Sequence, residues 1–252
     1  MEILGVQIGR VTADEATSLV VGMVGDGQRH YIVTPNPEFL VLAHRDRDFK
    51  KVLNGADLAV PDGVGLSWAS LFLDGRWVSR ITGVGFLLGL CAQAEARRWK
   101  VFLLGAAPGV AENTAEVLVN RYPGLQIVGT YCGEGSPVFD QQTREAIKER
   151  VAGAHIDLLF VAYGHGKQER WIARNLSHLP VSVAVGVGGA FDFISGRVRR
   201  APRWWRWLGL EWLWRFFAEP WRAGRTFNAV VVFPLLVLRE RLVRWLNKKP
   251  RK

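Results

Sequence analysis

The sequence has few cysteines and lacks any Cys/His spacing typical of a metal site. Cys91 and Cys132 are the only cysteines among its 252 residues, too few for the disulfide scaffold of a small secreted domain. The N-terminus also lacks the basic segment and long apolar run of a secretory signal. The composition therefore argues against a disulfide-rich secreted protein and suits a reducing compartment.

The C-terminal region lacks a hydrophobic run long enough to cross a membrane. Its longest uncharged stretch, Thr226–Leu238, has 13 residues and contains Pro234, whereas a transmembrane helix needs about 20 apolar residues. We therefore expect this region to lie in a membrane interface rather than to span the bilayer.

Most of the chain lacks an excess of positive charge, which is concentrated at its end. Residues 1–196 contain 18 Lys and Arg against 20 Asp and Glu, whereas residues 197–252 contain 15 against 3. The final segment also holds seven of the eleven tryptophans. We predict a near-neutral globular domain over residues 1–196 and a basic, aromatic appendage over residues 197–252 whose partner is anionic.

The first 196 residues alternate short apolar segments with amphipathic helical patterns. This alternation predicts an α/β fold, a parallel Rossmann-like sheet with helices on both faces, in which ligands bind at the carboxyl ends of the strands. The predicted strands are Tyr31–Thr34, Asp57–Val60, Val101–Gly105, Gln126–Thr130, Leu158–Tyr163 and Val183–Val187. The predicted helices are Pro37–Arg45, Val64–Leu73, Gly83–Arg98, Val110–Arg121, Gln141–Val151 and Lys167–Asn175.

Several polar residues follow these strands and have two interpretations each. Asp62, between Pro61 and Gly63, is either a general base in the crevice or the N-cap of the next helix. Thr34 and Asn36 either fix sugar hydroxyls or cap a helix.

The later strand ends are equally open from the sequence. Gln168 and Glu169 either recognise sugar hydroxyls or form a polar first helical turn. Gly186–Gly189 lets backbone N–H groups approach a diphosphate or simply makes a tight turn. The glycine-rich segments complete neither the dinucleotide fingerprint nor the P-loop. Asp46 and Asp48 lie late in a helical pattern, which favours a solvated charged face over a metal site.

The appendage interleaves tryptophan with arginine and continues as a predicted amphipathic helix, Leu235–Leu246. Indoles and cations together are typical of proteins that bind an anionic membrane surface. Two alternatives remain, a nucleic-acid-binding protein that uses the basic segment and a non-catalytic membrane adaptor. The apolar run favours the membrane.

In this order the motifs resemble the WecG/TagA/CpsF family of glycosyltransferases over roughly residues 2–228. The family usually has Pro where this chain has Gly166. The matching segments are Thr34 with Asn36–Glu38, Ala56-Asp57, Pro61–Gly65, Arg80–Gly83, Val101–Gly105, Tyr122-Pro123, Gly164 with Lys167–Glu169, Gly186–Gly189 with Phe191-Asp192, Arg200–Pro202, and Leu210–Trp212 through Arg215 to Glu219-Pro220 and Arg222.

The resemblance implies an inverting, metal-independent transferase of the GT-E fold type. It would move N-acetylmannosamine or its uronic acid from a UDP-sugar to a polyprenyl-diphosphate-linked sugar, in the synthesis of cell-surface polysaccharide or teichoic acid. We expect the protein to bind peripherally to the cytoplasmic face of the membrane. The resemblance implies no nucleic-acid partner and is compatible with a homo-oligomer. No cofactor is implied, since the UDP-sugar is a substrate.

The resemblance also implies roles for individual residues. Asp62 would deprotonate the acceptor hydroxyl. The residues implied to bind the substrates are Thr34, Asn36, Arg80, Thr82, Gly105, Gln168, Glu169, Gly186, Gly188, Asp192, Arg215, Arg222 and Arg225.

Overall fold

The computed structural model describes residues 1–202, 205, 213–214 and 223–248. The strands are β1 Glu2–Ile3, β2 Val6–Gln7, β3 His30–Val33, β4 Leu58–Ala59, β5 Lys100–Gly105, β6 Gln126–Tyr131, β7 Ile156–Ala162 and β8 Val181–Gly186. The helices of the first 196 residues are α1 Ala13–Gly25, α2 Pro37–Arg45, α3 Arg47–Asn54, α4 Val64–Asp74, α5 Gly83–Arg97, α6 Val110–Arg121, α7 Asp140–Val151, α8 Lys167–Asn175 and α9 Ala190–Ile194, with 3₁₀ turns at Pro137–Phe139 and Leu176–His178.

Strands β3 to β8 form one parallel sheet in the order β4-β3-β8-β7-β5-β6. Successive residues of β5 show how both faces are covered. Val101 and Leu103 belong to one apolar cluster, which includes residues of α5 and α6. Phe102 and Leu104 belong to another, which includes residues of α7 and α8. Because side chains alternate along a strand, the sheet is buried between two helical layers, and the predicted α/β fold class is confirmed.

Three elements near the N-terminus were not predicted from the sequence. Strands β1 and β2 pair antiparallel across Leu4 and Gly5, which both have positive φ. Helix α1 follows a capping box in which Thr12 and Glu15 bond each other's backbone N–H groups.

Helix α3 corrects the interpretation of Asp46, which lies between two helices rather than late in one. Its Oδ1 accepts a hydrogen bond from the Phe49 N–H at 2.9 Å, which caps α3. Its Oδ2 pairs with Arg170 at 2.6 Å. Asp48 is exposed beside Lys51, as a solvated face predicts.

The described end of the appendage is helical from residue 223 to residue 248. It comprises α10 Ala223–Phe227, a π-helical turn at Asn228–Val232, and α11 Phe233–Lys248. Phe233 and Val237 are buried in the cluster that contains residues of α2, α3 and α4. Among the described residues, we find no helix with the length and apolarity needed to cross a membrane.

Candidate active site

A cavity of about 890 Å³ lies where the neighbouring strands β4, β3, β8 and β7 end. The cavity brings together residues that are far apart in the sequence, from Thr34 to Leu238. The predicted site residues that line it are Thr34, Asn36, Asp62, Arg80, Thr82, Gln168, Gly188, Asp192 and Arg225. Glu38, His165 and Arg200 also line it, although sequence reasoning did not select them as site residues. Glu38 and Arg200 do fall within the family motifs, a signal that could have found them.

The loop after β4 places Asp62 in this cavity. Its backbone N–H donates to the Pro35 carbonyl at 2.9 Å, and the Ile81 N–H donates to the Pro61 carbonyl at 2.9 Å. The N-cap of α4 is Gly63, at φ +99°, and no side chain caps that helix. The alternative interpretation of Asp62 as a helix cap is therefore wrong, and its carboxylate lines the cavity beside Gly83.

Thr34 and Asn36 follow β3 on the adjacent strand. The Thr34 hydroxyl donates to the Gly186 carbonyl at 2.9 Å, which joins the end of β3 to the end of β8. Asn36 caps α2, since its Oδ1 accepts from the Phe39 N–H at 3.2 Å. The capping interpretation is thus confirmed for Asn36, whose side chain lies in the cavity wall as well.

Gln168 and Glu169 form a buried hydrogen-bonded pair at the start of α8. The Gln168 Nε2 donates to the Glu169 Oε1 at 2.7 Å, and the Gln168 Oε1 accepts from the Gly188 N–H at 2.9 Å. The other Glu169 oxygen accepts from the Gly166 N–H at 2.9 Å. Gln168 lines the cavity and Glu169 lies behind it. Glu169 therefore holds the amide of Gln168 rather than facing a ligand.

Two of the predicted glycines serve close packing and do not line the cavity. A Cβ on Gly186 would lie 2.8 Å from the Gln168 Nε2 and 3.0 Å from the Glu169 Oε1, so only glycine leaves room for this pair. Gly105, at φ +105°, would place a Cβ 2.8 Å from the Ala162 carbonyl carbon. It ends β5, which lies on the far side of β7 from the cavity.

Gly166 adopts a backbone conformation that proline cannot. Its φ is +77°, whereas the proline ring holds φ near −65° and removes the N–H. The Gly166 N–H is the donor to Glu169. Gly166 thus donates a hydrogen bond to the buried carboxyl that a proline at this position could not donate.

Complete burial raises the pKa of Glu169 from 4.5 to about 7, against the opposing hydrogen bonds from Gln168 and Gly166. In the unfolded chain this carboxyl loses its proton near its ordinary pKa, while the folded protein keeps the proton up to about pH 7. Between these values the native state binds more protons, so the free energy of unfolding falls as pH rises, by about 1.4 kcal/mol per pH unit.

We expect Glu169→Gln to remove this contribution to the pH dependence of stability. The test is urea unfolding of the wild type and the variant from pH 4.5 to 8. The free energy of unfolding of the wild type, minus that of the variant, should fall steadily as the pH rises to about 7 and then level off. A difference that stays constant across the range would contradict the raised pKa.

The remaining polar groups come from three other segments. Thr82 caps α5 through the Gly85 N–H at 3.2 Å, and Asp192 on α9 lies 3.6 Å from Arg197. Arg225 on α10 pairs with Glu38 at 2.7 Å, so the appendage contributes a cation to the cavity.

Arg215 and Arg222 lie outside the described residues. Among the residues that are described, no group of three His, Cys, Asp or Glu side chains is placed to hold a metal ion.

Comparison with known families agrees with this arrangement. The model of the glycosyl transferase WecG/TagA/CpsF family matches residues 1–247. The chain belongs to this family. The protein is therefore a glycosyltransferase of the hexosyltransferase type, which confirms the resemblance and decides against a non-catalytic adaptor.

Curated relatives in the WecG/TagA/CpsF family share a name. One from Bacillus subtilis is 35% identical over 84% of this chain and 84% of its own length. One from Bacillus spizizenii is 35% identical, covering 79% and 75%, and one from Staphylococcus aureus is 31% identical, covering 77% and 74%. Each is named N-acetylglucosaminyldiphosphoundecaprenol N-acetyl-beta-D-mannosaminyltransferase.

Proposed function

We propose that this protein transfers N-acetylmannosamine, or its uronic acid, from a UDP-sugar to a sugar linked to a polyprenyl diphosphate. The observation that carries the proposal is the position of Asp62, a carboxylate in a cavity that also contains Arg80, Arg200 and Arg225. One base and several cations are the groups that a displacement of a diphosphate requires. The names of the curated relatives supply the two sugars and the lipid.

In the proposed reaction, Asp62 removes the proton from the acceptor hydroxyl as its oxygen attacks the anomeric carbon of the donor. The bond between that carbon and the UDP oxygen breaks, and UDP leaves with the bonding electrons. A single displacement of this kind inverts the anomeric configuration. The product is one glycosidic bond, with the proton carried on Asp62 until it is released to water.

The leaving diphosphate gains negative charge as the bond breaks. The cavity offers arginine side chains and the uncapped first turn of α4, whose residues Gly63, Val64 and Gly65 line it. Guanidinium groups and helix N-terminal N–H groups both stabilise phosphate oxygens. These groups take the place that a divalent cation fills in other transferases, and the proposed reaction needs no metal.

Gln168 is buried in the cavity wall, and its amide is proposed to shape the subsite for the donor sugar. Its amide is held by the Gly188 N–H and by Glu169, so its orientation is fixed before a ligand binds. A preorganised amide selects hydroxyl groups at one geometry and loses little entropy on binding. We assign Gln168 to the donor sugar, with Thr34 and Asn36 on the neighbouring strand end closer to Asp62 and the acceptor.

The appendage is proposed to bind the cytoplasmic face of an anionic membrane. Helix α11 exposes Leu235, Leu242, Trp245 and Leu246, and it carries Arg239 and Arg241. Apolar and cationic side chains on one exposed helix favour an interfacial position. This arrangement would hold the cavity near a lipid-linked acceptor.

The function is tested with purified full-length protein, a panel of UDP-sugars and a short-chain lipid-diphosphate acceptor that carries N-acetylglucosamine. We expect UDP release with UDP-N-acetylmannosamine or its uronic acid, and a product of inverted anomeric configuration by NMR. Product with retained configuration, or turnover with none of the UDP-sugars, would contradict the proposal.

We expect transfer to continue in excess EDTA, because arginines and backbone N–H groups stabilise the diphosphate. The measurement is the initial rate with and without EDTA, followed by addition of Mg²⁺ or Mn²⁺. A complete loss of activity that either cation restores would show that the diphosphate is bound through a metal.

A further inference from the structure

The cavity has a second wall that is apolar and that sequence reasoning did not find. Trp68 and Phe72 on α4 face it, as do Phe233, Val237 and Leu238 on α11. We call these five residues the apolar groove. Helices α4 and α11 are direct neighbours, since a Cβ on Gly65 would lie 3.8 Å from a ring carbon of Phe233.

The groove has a buried floor and an exposed rim. Phe233 and Val237 are buried, whereas Trp68 is 59% exposed, Leu238 47% and Phe72 43%. Trp77 packs edge-to-face against Trp68 with ring centroids 5.3 Å apart, which supports the rim from outside the cavity. The cavity therefore opens to solvent between apolar side chains, an arrangement that is unfavourable unless a ligand covers it.

The direction of the groove follows from helix α4. This helix begins at Val64, two residues after Asp62, and Phe72 lies in its last turn. At 1.5 Å per residue, the seven steps from Gly65 to Phe72 span about 10 Å. The groove thus starts beside the polar groups of the cavity and runs outward from them.

The polar groups at the outer end of the groove are already paired with arginines. Arg241 donates a hydrogen bond to the Phe72 carbonyl, and its guanidinium carbon lies 4.8 Å from the centre of the Phe72 ring. Arg244 pairs with Asp74 at 3.1 Å. Because these arginines pair with the carbonyl and carboxylate groups at the end of α4, the groove itself presents apolar side chains to a ligand.

We propose that the apolar groove binds the isoprenoid segment next to the diphosphate of the lipid-linked acceptor. This inference rests on the proposed function, which places a sugar diphosphate at the polar end. The acceptor is polar at one end and apolar at the other, in the same order as the two walls of the cavity. A UDP-sugar is polar throughout and would leave the groove uncovered.

The groove is tested with a matched pair of variants on one helix face. Leu238→Ser alters the rim of the groove, whereas Leu242→Ser alters a side chain one turn further along α11 that is 53% exposed and does not line the cavity. Both full-length proteins are assayed in detergent micelles, so that binding to an anionic bilayer does not contribute. The acceptors carry either a long polyprenyl chain or a methyl group on the diphosphate.

The quantity compared is the ratio of kcat/KM for the polyprenyl acceptor to kcat/KM for the methyl acceptor. We expect Leu238→Ser to lower this ratio about tenfold, the loss expected for one buried leucine contact. Leu242→Ser should leave the ratio unchanged. Equal ratios for the two variants would overturn the groove. If both ratios were equally lowered, the lipid would contact the surface of α11 in general rather than the groove.

A binding measurement separates failure of the groove from failure of the proposed function. Farnesyl diphosphate, an isoprenoid diphosphate without a sugar, is titrated into each protein and followed by tryptophan fluorescence. We expect Leu238→Ser to weaken its Kd about tenfold relative to Leu242→Ser. This result would support the groove even if no sugar were transferred, whereas equal Kd values would overturn it.

Discussion

We expect Asp62→Asn to lower kcat by about 10²–10⁴-fold, the range typical of a lost general base. Asparagine keeps the size of the side chain and cannot accept the proton of the acceptor hydroxyl. The backbone bonds that hold the loop, from the Asp62 N–H to Pro35 and from the Ile81 N–H to Pro61, do not involve the side chain. Folding and UDP affinity should therefore stay close to those of the wild type.

The control for this variant is Asp74→Asn, at the opposite end of α4. Asp74 pairs with Arg10 and Arg244 outside the cavity, so its substitution removes a carboxylate near the other end of the same helix without changing the cavity lining. Initial rates and UDP binding by calorimetry are measured for both variants. If the initial rates of Asp62→Asn were close to those of Asp74→Asn, Asp62 would not be the general base.

Arg225→Ala is expected to lower kcat by about 10²–10³-fold, as found when one preorganised donor to a developing anion is removed. The guanidinium of Arg225 reaches the cavity from the appendage and is held there by Glu38 at 2.7 Å. The side chain is partly exposed, so the substitution should change the free energy of unfolding by no more than about 1 kcal/mol.

Arg239→Ala on α11 is the matched control, because it removes one positive charge from the same helical run without altering the cavity lining. Transfer and co-sedimentation with anionic vesicles are measured for both. If both variants lost vesicle binding equally and neither lost turnover on a water-soluble acceptor, the appendage would act as an anchor alone. The sequence-based roles of Arg215 and Arg222 are tested by the same pair of measurements.

Local signals were sufficient for the main elements of the fold. The boundaries of α2 and α8 were predicted to the residue, because Asn36-Pro37 and Gly166 mark their starts and apolar periodicity marks their length. Helix α1 was missed because only Ala16 and Val20 are buried, which leaves no apolar stripe to recognise. Its capping box at Thr12 and Glu15 was the available signal.

The site was predictable where it depends on the chain near a strand end. Asp62, Thr34 and Gln168 follow directly from the rule that parallel strands bind ligands at their carboxyl ends. The role of Gly186 was not predictable from the sequence, because the side chain that leaves room only for glycine there is Gln168, 18 residues earlier. The contact of Glu38 with Arg225 and the apolar groove depend on how the appendage folds back onto the domain, which no local pattern encodes.

The helical run from residue 223 to residue 248 combines properties that experiments usually treat separately. Arg225 reaches into the cavity, Phe233 and Val237 complete an apolar cluster of the domain, and Leu242 and Trp245 are exposed. Shortening the chain to improve its handling would therefore remove a cation from the cavity, uncover the interior and remove exposed apolar side chains at once. An inactive truncated protein would not identify the missing contribution, so this enzyme is best dissected by single side-chain replacements in the intact chain.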